Sequence, residues 1–305
     1  MNVLASGRHD AAQHSTDIDT FSRIARIAER GRIDALFLAD GPAGLVEESF
    51  TRPWRALEPV SLLSPLSQQT GHIGLVATTS TLFGHPYVAA RQIATLDHIS
   101  KRRAAWNIIT SQTPVALAAY GLESRFGQDE RYVRADEFAR IVTGLWSSVP
   151  QSAIVADPGR NLFVDETVTR PIDVQGIHFR SRGNLSAPVG PQGRPVIFHS
   201  GQSDDSKAFG ARWADALFTG QRTLAGAQKF YSDVKALARA NGRNPDHLLV
   251  MPGLFRILGG SEEEARGRKD DPDARLDIDF PHHELAHHFA LSPDDLPLVG
   301  VLPSI

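Results

Sequence analysis

Apolar residues recur along the chain in two alternating rhythms, one with the period of an amphipathic helix and one in short unbroken runs of strand length. From Asp17 onward Phe21, Ile24, Ala25 and Ala28 fall at helical spacing, with an aspartate to open the segment and Gly31 to close it. The apolar run Ile33 to Ala39 follows at once and predicts a strand. The same succession predicts a helix over Ala56 to Gln69 with a strand over Ile73 to Thr78. It then predicts a helix over Tyr87 to Ile99 with a strand over Ala104 to Ile109. A further helix, Glu130 to Trp146, carries Val133, Phe138, Ile141, Val142 and Leu145 along one face. Residues 147–193 break the rhythm. They are rich in Pro, Gly, Asn and Arg, and Val174 to Phe179 suggests a small hairpin. The alternation resumes with strand Pro195 to His199, helix Asp204 to Trp213, strand Ala214 to Phe218, helix Leu224 to Ala240 and strand Leu248 to Leu258.

Strands alternating with helices of this length imply right-handed βαβ units and a parallel sheet, either closed as a barrel or open and doubly wound. With a first strand in Asn2 to Ala5 the chain offers seven strands, one short of a closed (β/α)8 barrel. After Gly260 the sequence is charged and interrupted by proline, and no eighth strand is legible. The 305 residues suit one barrel domain, with an insertion at 147–193 and an atypical segment at 261–305.

Composition narrows the partners. With 41% hydrophobic residues, 22% charged residues and a formal net charge of −3, the chain reads as globular, with no pull toward nucleic acid or membrane surfaces. The absence of cysteine excludes disulfides, thiolate metal sites and a cysteine nucleophile. No basic region followed by an apolar run opens the sequence, so a cytoplasmic, unprocessed chain is expected.

In either parallel architecture ligands bind at the carboxyl ends of the strands, so polar residues just past each apolar run are the candidates. These are Asp40 with Gly41, Thr78 to Ser80, Thr110 to Gln112 and Ser200 to Ser203. The last group has two readings. Gly201 lets backbone approach closely and the next helix offers unpaired N–H groups to a phosphate; or Ser203 only caps that helix, with Asp204 and Asp205 complementing its dipole. Asn107 interrupts an apolar strand and must find partners, from a heterocyclic ring edge or from neighbouring backbone. Asp40 either binds ligand or caps its loop. No Gly-x-Gly-x-x-Gly follows a strand and no Walker loop is present, so a flavin or sugar phosphate is the more natural anion than a dinucleotide.

His283, Glu284 and His287 match His-Glu-x-x-His, the pattern of zinc hydrolases. A catalytic zinc needs a third protein ligand, and only Asp294 and Asp295 follow within the remaining chain. A solvated helix face explains the run His282 to His288 without metal, so no metal site is assigned.

Five separated segments carry a resemblance. They are Ala28 to Asp40, Thr78 to Tyr87, Arg91 to Ser111, Asp129 to Phe138 and Pro195 to Ser203. Together they resemble the luciferase-like flavin monooxygenases of the nitrilotriacetate monooxygenase, dibenzothiophene-sulfone monooxygenase and pristinamycin synthase group, and are similar to the long-chain alkane monooxygenase. The resemblance implies a TIM-like (β/α)8 barrel of the bacterial luciferase type and an oxygenase component that takes reduced FMN from a separate NAD(P)H-dependent flavin reductase. It implies insertion of one oxygen atom of O2 into a small organic substrate through a flavin C4a-hydroperoxide. A non-catalytic flavin-binding relative is the alternative. The flavin positions that carry over are Asp40, Thr78, Tyr132, Gly201 and Ser203, with Asn107, Thr110 and Gln202 beside them. Gln128 stands where the family commonly has histidine and can donate to a phosphate without becoming cationic. His9 falls in the family's histidine-rich first loop and is the candidate for proton transfer. A homo-oligomer, dimer or tetramer, is expected.

Overall fold

The computed structural model describes residues 16–41, 57–110, 112–122, 126–254 and 256–275. Asn2 to Ala5, His9 and the run His282 to His288 lie outside these described residues. The described residues fall into two compact units, one ending at Gly253 and one beginning at Leu254.

The first unit opens with α1 (Ile18–Arg30), which is capped by Asp17 through the N–H groups of Asp19 and Thr20. It continues with β1 (Ala35–Leu38), α2 (Pro59–Leu66), β2 (Gly74–Ser80), α3 (Pro86–Ser100) and β3 (Ala104–Ile109). A short α4 (Pro114–Ala119) precedes the long α5 (Gln128–Trp146). Two small antiparallel hairpins follow, β4 (Ile154–Asp157) with β5 (Leu162–Val164), and β6 (Ile172–Gln175) with β7 (Arg180–Gly183). The main chain then returns to the sheet with β8 (Val196–Ser200), α6 (Asp204–Trp213), β9 (Ala216–Thr219), α7 (Leu224–Ala240) and β10 (Leu249–Pro252).

The six main strands lie in the order β1-β2-β3-β8-β9-β10, and every neighbouring pair is parallel. This order decides between the two architectures that the rhythm left open. A doubly wound sheet reverses its strand order at a switch point, whereas a sheet that always adds the next strand on the same side is the singly wound precursor of a barrel.

Alternation along the strands separates two faces. One packs under the helices: Trp106, Ile108, Ile197 and Leu217 are fully buried in a cluster with Leu63, Ile93, Phe138 and Val234. Trp106 meets Trp146 edge-on at 5.7 Å, and each such aromatic contributes about 1.5–3 kcal/mol by burial. The other face carries Phe37 and Phe198 in edge contact at 5.7 Å, together with Thr78, Asn107 and Ser200. Toward β10 this inner face is open, with Val196, Phe218, Leu249 and Met251 between 39% and 58% exposed.

The insertion is strapped to the helices by buried polar groups. The Glu137 carboxylate on α5 accepts from the backbone N–H groups of Ile177, His178 and Phe179 at 2.8, 2.9 and 3.1 Å. The buried Asp97 on α3 accepts from the Gln192 backbone N–H at 3.1 Å and from its side-chain amide at 2.6 Å. Ser148, just past α5, accepts from the Leu185 N–H at 2.8 Å.

The second unit contains α8 (Glu262–Arg275), with three glutamates in its first turn, where the helix dipole favours negative charge. Arg266 pairs with Glu262 and Arg268 with Glu264 one turn apart, at 2.7 and 2.5 Å. The described part of the segment after Gly260, up to Arg275, is therefore a polar helix. No helix among the described residues is long and apolar enough to cross a membrane. Nor do those residues contain a group of three or more His, Cys, Asp or Glu able to hold a metal.

Candidate active site

The sheet brings three strand ends together. Thr78 on β2 lies in register with Asn107 on β3, which lies in register with Phe198 on β8. The buried Asn107 amide donates to Thr78 Oγ1 at 3.0 Å, and Ser200 Oγ donates to Asn107 Oδ1 at 3.4 Å. The result is a polar row across the inner face, at the carboxyl ends, in which the Thr78 hydroxyl hydrogen and one Asn107 amide hydrogen stay available. The partners of Asn107 are thus side chains on the two neighbouring strands rather than backbone. Ser200, expected only as part of the Ser200 to Ser203 turn, belongs to this row. Its signal was the alternation that turns Phe198 and Ser200 inward and His199 outward.

Asp40 stands two residues beyond β1, half-buried. Burial pushes its carboxyl above the ordinary 3.8, the negative Glu58 at the start of α2 adds to this, and the Gly41 N–H opposes it. A second group gathers around the first turns of α5 and α6. Ser203 caps α6, its Oγ accepting from the Ser206 N–H at 3.2 Å, so the capping reading holds. The cap uses a lone pair and leaves the Ser203 hydroxyl hydrogen free to donate. Asp204 is held by Lys207 at 2.6 Å, and Asp205 accepts from the Gln128 amide at 2.5 Å. The two carboxylates that flank the turn therefore have cationic or amide partners of their own.

Gly201 has φ +155°, and a Cβ there would lie 2.1 Å from Ser206 Oγ. Only glycine allows this close approach. The Gln202 side chain accepts from Gln221 at 3.4 Å, beside the end of β9. Tyr132 on α5 faces the helix side, with its ring 6.2 Å from His199 and 5.9 Å from Phe209. It lines an open groove of about 710 Å³ with Val133, Phe209, Asp129 and Asp205. The structure therefore sorts the sequence candidates. Thr78 and Asn107 share the inner face, Gln128, Tyr132, Gly201 and Ser203 cluster at the helix N-termini, and Asp40 follows β1.

Thr110, buried just past β3, accepts through its backbone carbonyl from Arg131 Nη1 at 3.0 Å. Arg131 Nε is buried and has no partner among the described residues. An orphaned buried donor costs about 1–3 kcal/mol and calls for an explanation, such as a bound ligand or water. Arg131 was not legible from the sequence, since its environment depends on the Thr110 carbonyl. Next to it, the N-cap of α5 is Gly127, which has no side chain to bond the first-turn amides and leaves them open to an acceptor.

Sequence and structure comparisons give this geometry a context. Residues 1–288 match the family model for luciferase-like monooxygenases. The chain is 39% identical to N-acetyl-S-(2-succino)cysteine monooxygenase of Bacillus subtilis (strain 168), over 87% of this chain and 60% of that protein. It is 37% identical to nitrilotriacetate monooxygenase component A of Aminobacter aminovorans, over 90% of this chain and 63% of that protein. The crystal structure of a long-chain alkane monooxygenase superposes with a TM-score of 0.88 at 28% identity, covering 96% of this chain and 70% of that one. The chain thus spans about 60% of the length of the first of these relatives. With six parallel strands in barrel order, a polar row at their carboxyl ends and a family match over most of its length, the chain belongs to the luciferase-like monooxygenase family.

Proposed function

We propose that this chain forms the flavin-binding body of an FMNH2-dependent monooxygenase component. The observation that carries the reading is the Thr78, Asn107 and Ser200 row on the inner face, next to the Gly201 to Ser203 turn. A planar heterocycle with hydrogen-bonding edges and a phosphate on a flexible tail matches that pairing. The orphaned Arg131 Nε fits such a ligand, and the missing Cβ at Gly201 lets the turn pack against Ser206.

In this reading Thr78 and Asn107 orient the ring edge, with Asp40 beyond β1 and Thr110 beyond β3 bounding it. Ser203, the first-turn N–H groups of α6, Gln128 and Arg131 hold the phosphate, with Gly201 and Gln202 shaping the turn and Tyr132 buttressing it. Bound reduced FMN supplies the two electrons that, with O2, oxygenate the substrate: RH + O2 + FMNH2 gives ROH + FMN + H2O. The chain's own task is to orient ring and substrate and to exclude water, which needs no nucleophile and base pair. His9 is the proposed proton carrier.

A separate NAD(P)H-dependent flavin reductase supplies the reduced flavin, in keeping with the missing dinucleotide fingerprint and with a relative whose name is component A. The substrate is a small organic molecule, and the molecules named in the relatives, N-acetyl-S-(2-succino)cysteine and nitrilotriacetate, are the first to try.

Reactions under 18O2 with a flavin reductase and such a panel test the proposal by mass spectrometry. One 18O atom in a product supports it. Reduced-flavin binding with no product from a broad panel favours the alternative, a non-catalytic flavin-binding relative, for which the open inner face around Phe218 and Met251 speaks.

A further inference from the structure

His199 lies on the helix side of β8, fully buried, two residues before Gly201. Its Nδ1 is 2.8 Å from the Ile108 carbonyl oxygen and its Nε2 is 2.9 Å from Ser206 Oγ. A carbonyl oxygen can only accept, so Nδ1 carries the hydrogen. In a neutral imidazole Nε2 is then an acceptor, and Ser206 Oγ must donate to it. Burial keeps the ring neutral, pulling its pKa from 6.5 down to about 4.

These directions propagate. The Ser206 hydroxyl donates to His199, and the Ser206 backbone N–H, a separate donor, bonds Ser203 Oγ, so the imidazole ties the first turn of α6 to the Ile108 carbonyl of β3. The Ser203 hydroxyl is left as the only group of this trio with a free hydrogen. Gly201 closes the arrangement, because a Cβ there would sit on Ser206 Oγ and within 3.9 Å of His199 Nε2. If the imidazole only filled space, an apolar ring of similar volume would serve; its two polar partners, on β3 and on α6, say otherwise. Phe209 at 4.8 Å and Tyr132 at 6.2 Å hold it in plane by edge contacts.

We propose that His199 is a positioning residue that, through Ser206, ties the first turn of α6 to β3, holds the Ser203 hydroxyl and the first-turn N–H groups in place, and so sets the preference of the turn for a phosphorylated flavin over riboflavin. This rests on the reading of Gly201 to Ser203 as the phosphate seat.

The test compares dissociation constants for FMN and for riboflavin in the full chain, by quenching of flavin fluorescence, for wild type, Ser203→Ala, His199→Phe, His199→Gln and Ser206→Ala. His199→Phe keeps the aromatic packing and removes both hydrogen bonds, and His199→Gln restores a donor and an acceptor. Wild type is expected to prefer FMN. His199→Phe and Ser206→Ala are expected to lose about tenfold to a hundredfold of that preference, with riboflavin affinity within twofold of wild type, and His199→Gln to recover most of it. Should His199→Phe fail to fold, Ser206→Ala carries the same expectation from a milder change. A purely structural role would lower thermal stability and leave the FMN-to-riboflavin ratio untouched, and that result overturns the proposal. The underlying seat reading fails separately, and the proposal with it, if wild type shows no preference or Ser203→Ala leaves it unchanged.

Discussion

Replacing Gly201 by alanine perturbs the turn by a single methyl group whose surroundings are fixed. The added Cβ would lie 2.1 Å from Ser206 Oγ and 2.9 Å from Ser206 Cβ, at a backbone φ of +155°. Rotating the Ser206 hydroxyl away relieves the first contact only by breaking its 2.9 Å bond to His199, and the second involves an atom anchored to the α6 backbone. Holding a non-glycine residue in that region costs about 1–3 kcal/mol, and the lost hydrogen bond about 0.5–1.5 kcal/mol. Gly201→Ala is therefore expected to lower unfolding stability by about 2–4 kcal/mol. Urea unfolding followed by tryptophan fluorescence reads this directly, since Trp106 and Trp146 are buried in the core. Repeating it with FMN adds the functional half. A ligand at a hundred times its Kd stabilises by about 2.7 kcal/mol, and this increment should shrink or vanish in the variant. A variant that unfolds within about 0.5 kcal/mol of wild type and gains the same increment from FMN would refute both the strain argument and the place of the turn in binding.

Arg131→Met keeps the aliphatic stem and removes both the orphaned donor and the bond to the Thr110 carbonyl, whose effects on stability oppose, so apo stability should hold within about 1 kcal/mol while FMN affinity falls at least about tenfold; parallel unfolding and fluorescence titrations separate the two effects. For Glu137, burial raises the carboxyl pKa, but the N–H groups of His178, Ile177 and Phe179 outweigh it and hold the pKa below the ordinary 4.5. Its stabilisation is thus complete above about pH 4.5 and lost as pH falls through the lowered folded value, and Glu137→Ala should cost about 3 kcal/mol and speed amide exchange at residues 177–179. His199 has the opposite chemistry but the same direction: a folded pKa near 4 against 6.5 unfolded means that acid favours the unfolded chain. Stability should decline from about pH 6.5 toward pH 4 by up to about 3 kcal/mol, and His199→Gln should flatten that part of a pH series of urea midpoints.

Much of the fold was legible because buried parallel strands announce themselves as unbroken apolar runs. The expected strands at Ile73 to Thr78 and Ala104 to Ile109 correspond to β2 and β3, and the expected helix from Glu130 is α5, which begins at Gln128. The last expected strand, Leu248 to Leu258, stops at Pro252, where proline withholds a ladder donor. β4, β5 and α4 were missed because short elements bury too little to leave a periodic pattern. α8 escaped notice for the opposite reason: with no apolar face it has no period to read. At the site, Thr78, Asn107 and Ser203 could be named from position alone, as polar residues at the ends of apolar runs. The Gln128 to Asp205 bond joins positions 77 residues apart, and the isolation of Arg131 Nε depends on a carbonyl 21 residues away. Such facts depend on how the elements dock, which no local pattern encodes.

The central claim, that the strand ends and the α6 turn bind reduced FMN, is tested most directly by anaerobic titration of the full chain with FMNH2, followed through tryptophan fluorescence. The account predicts saturable one-to-one binding that weakens in Asn107→Ala and in Ser203→Ala. The absence of saturable binding, or binding that neither substitution alters, would contradict it.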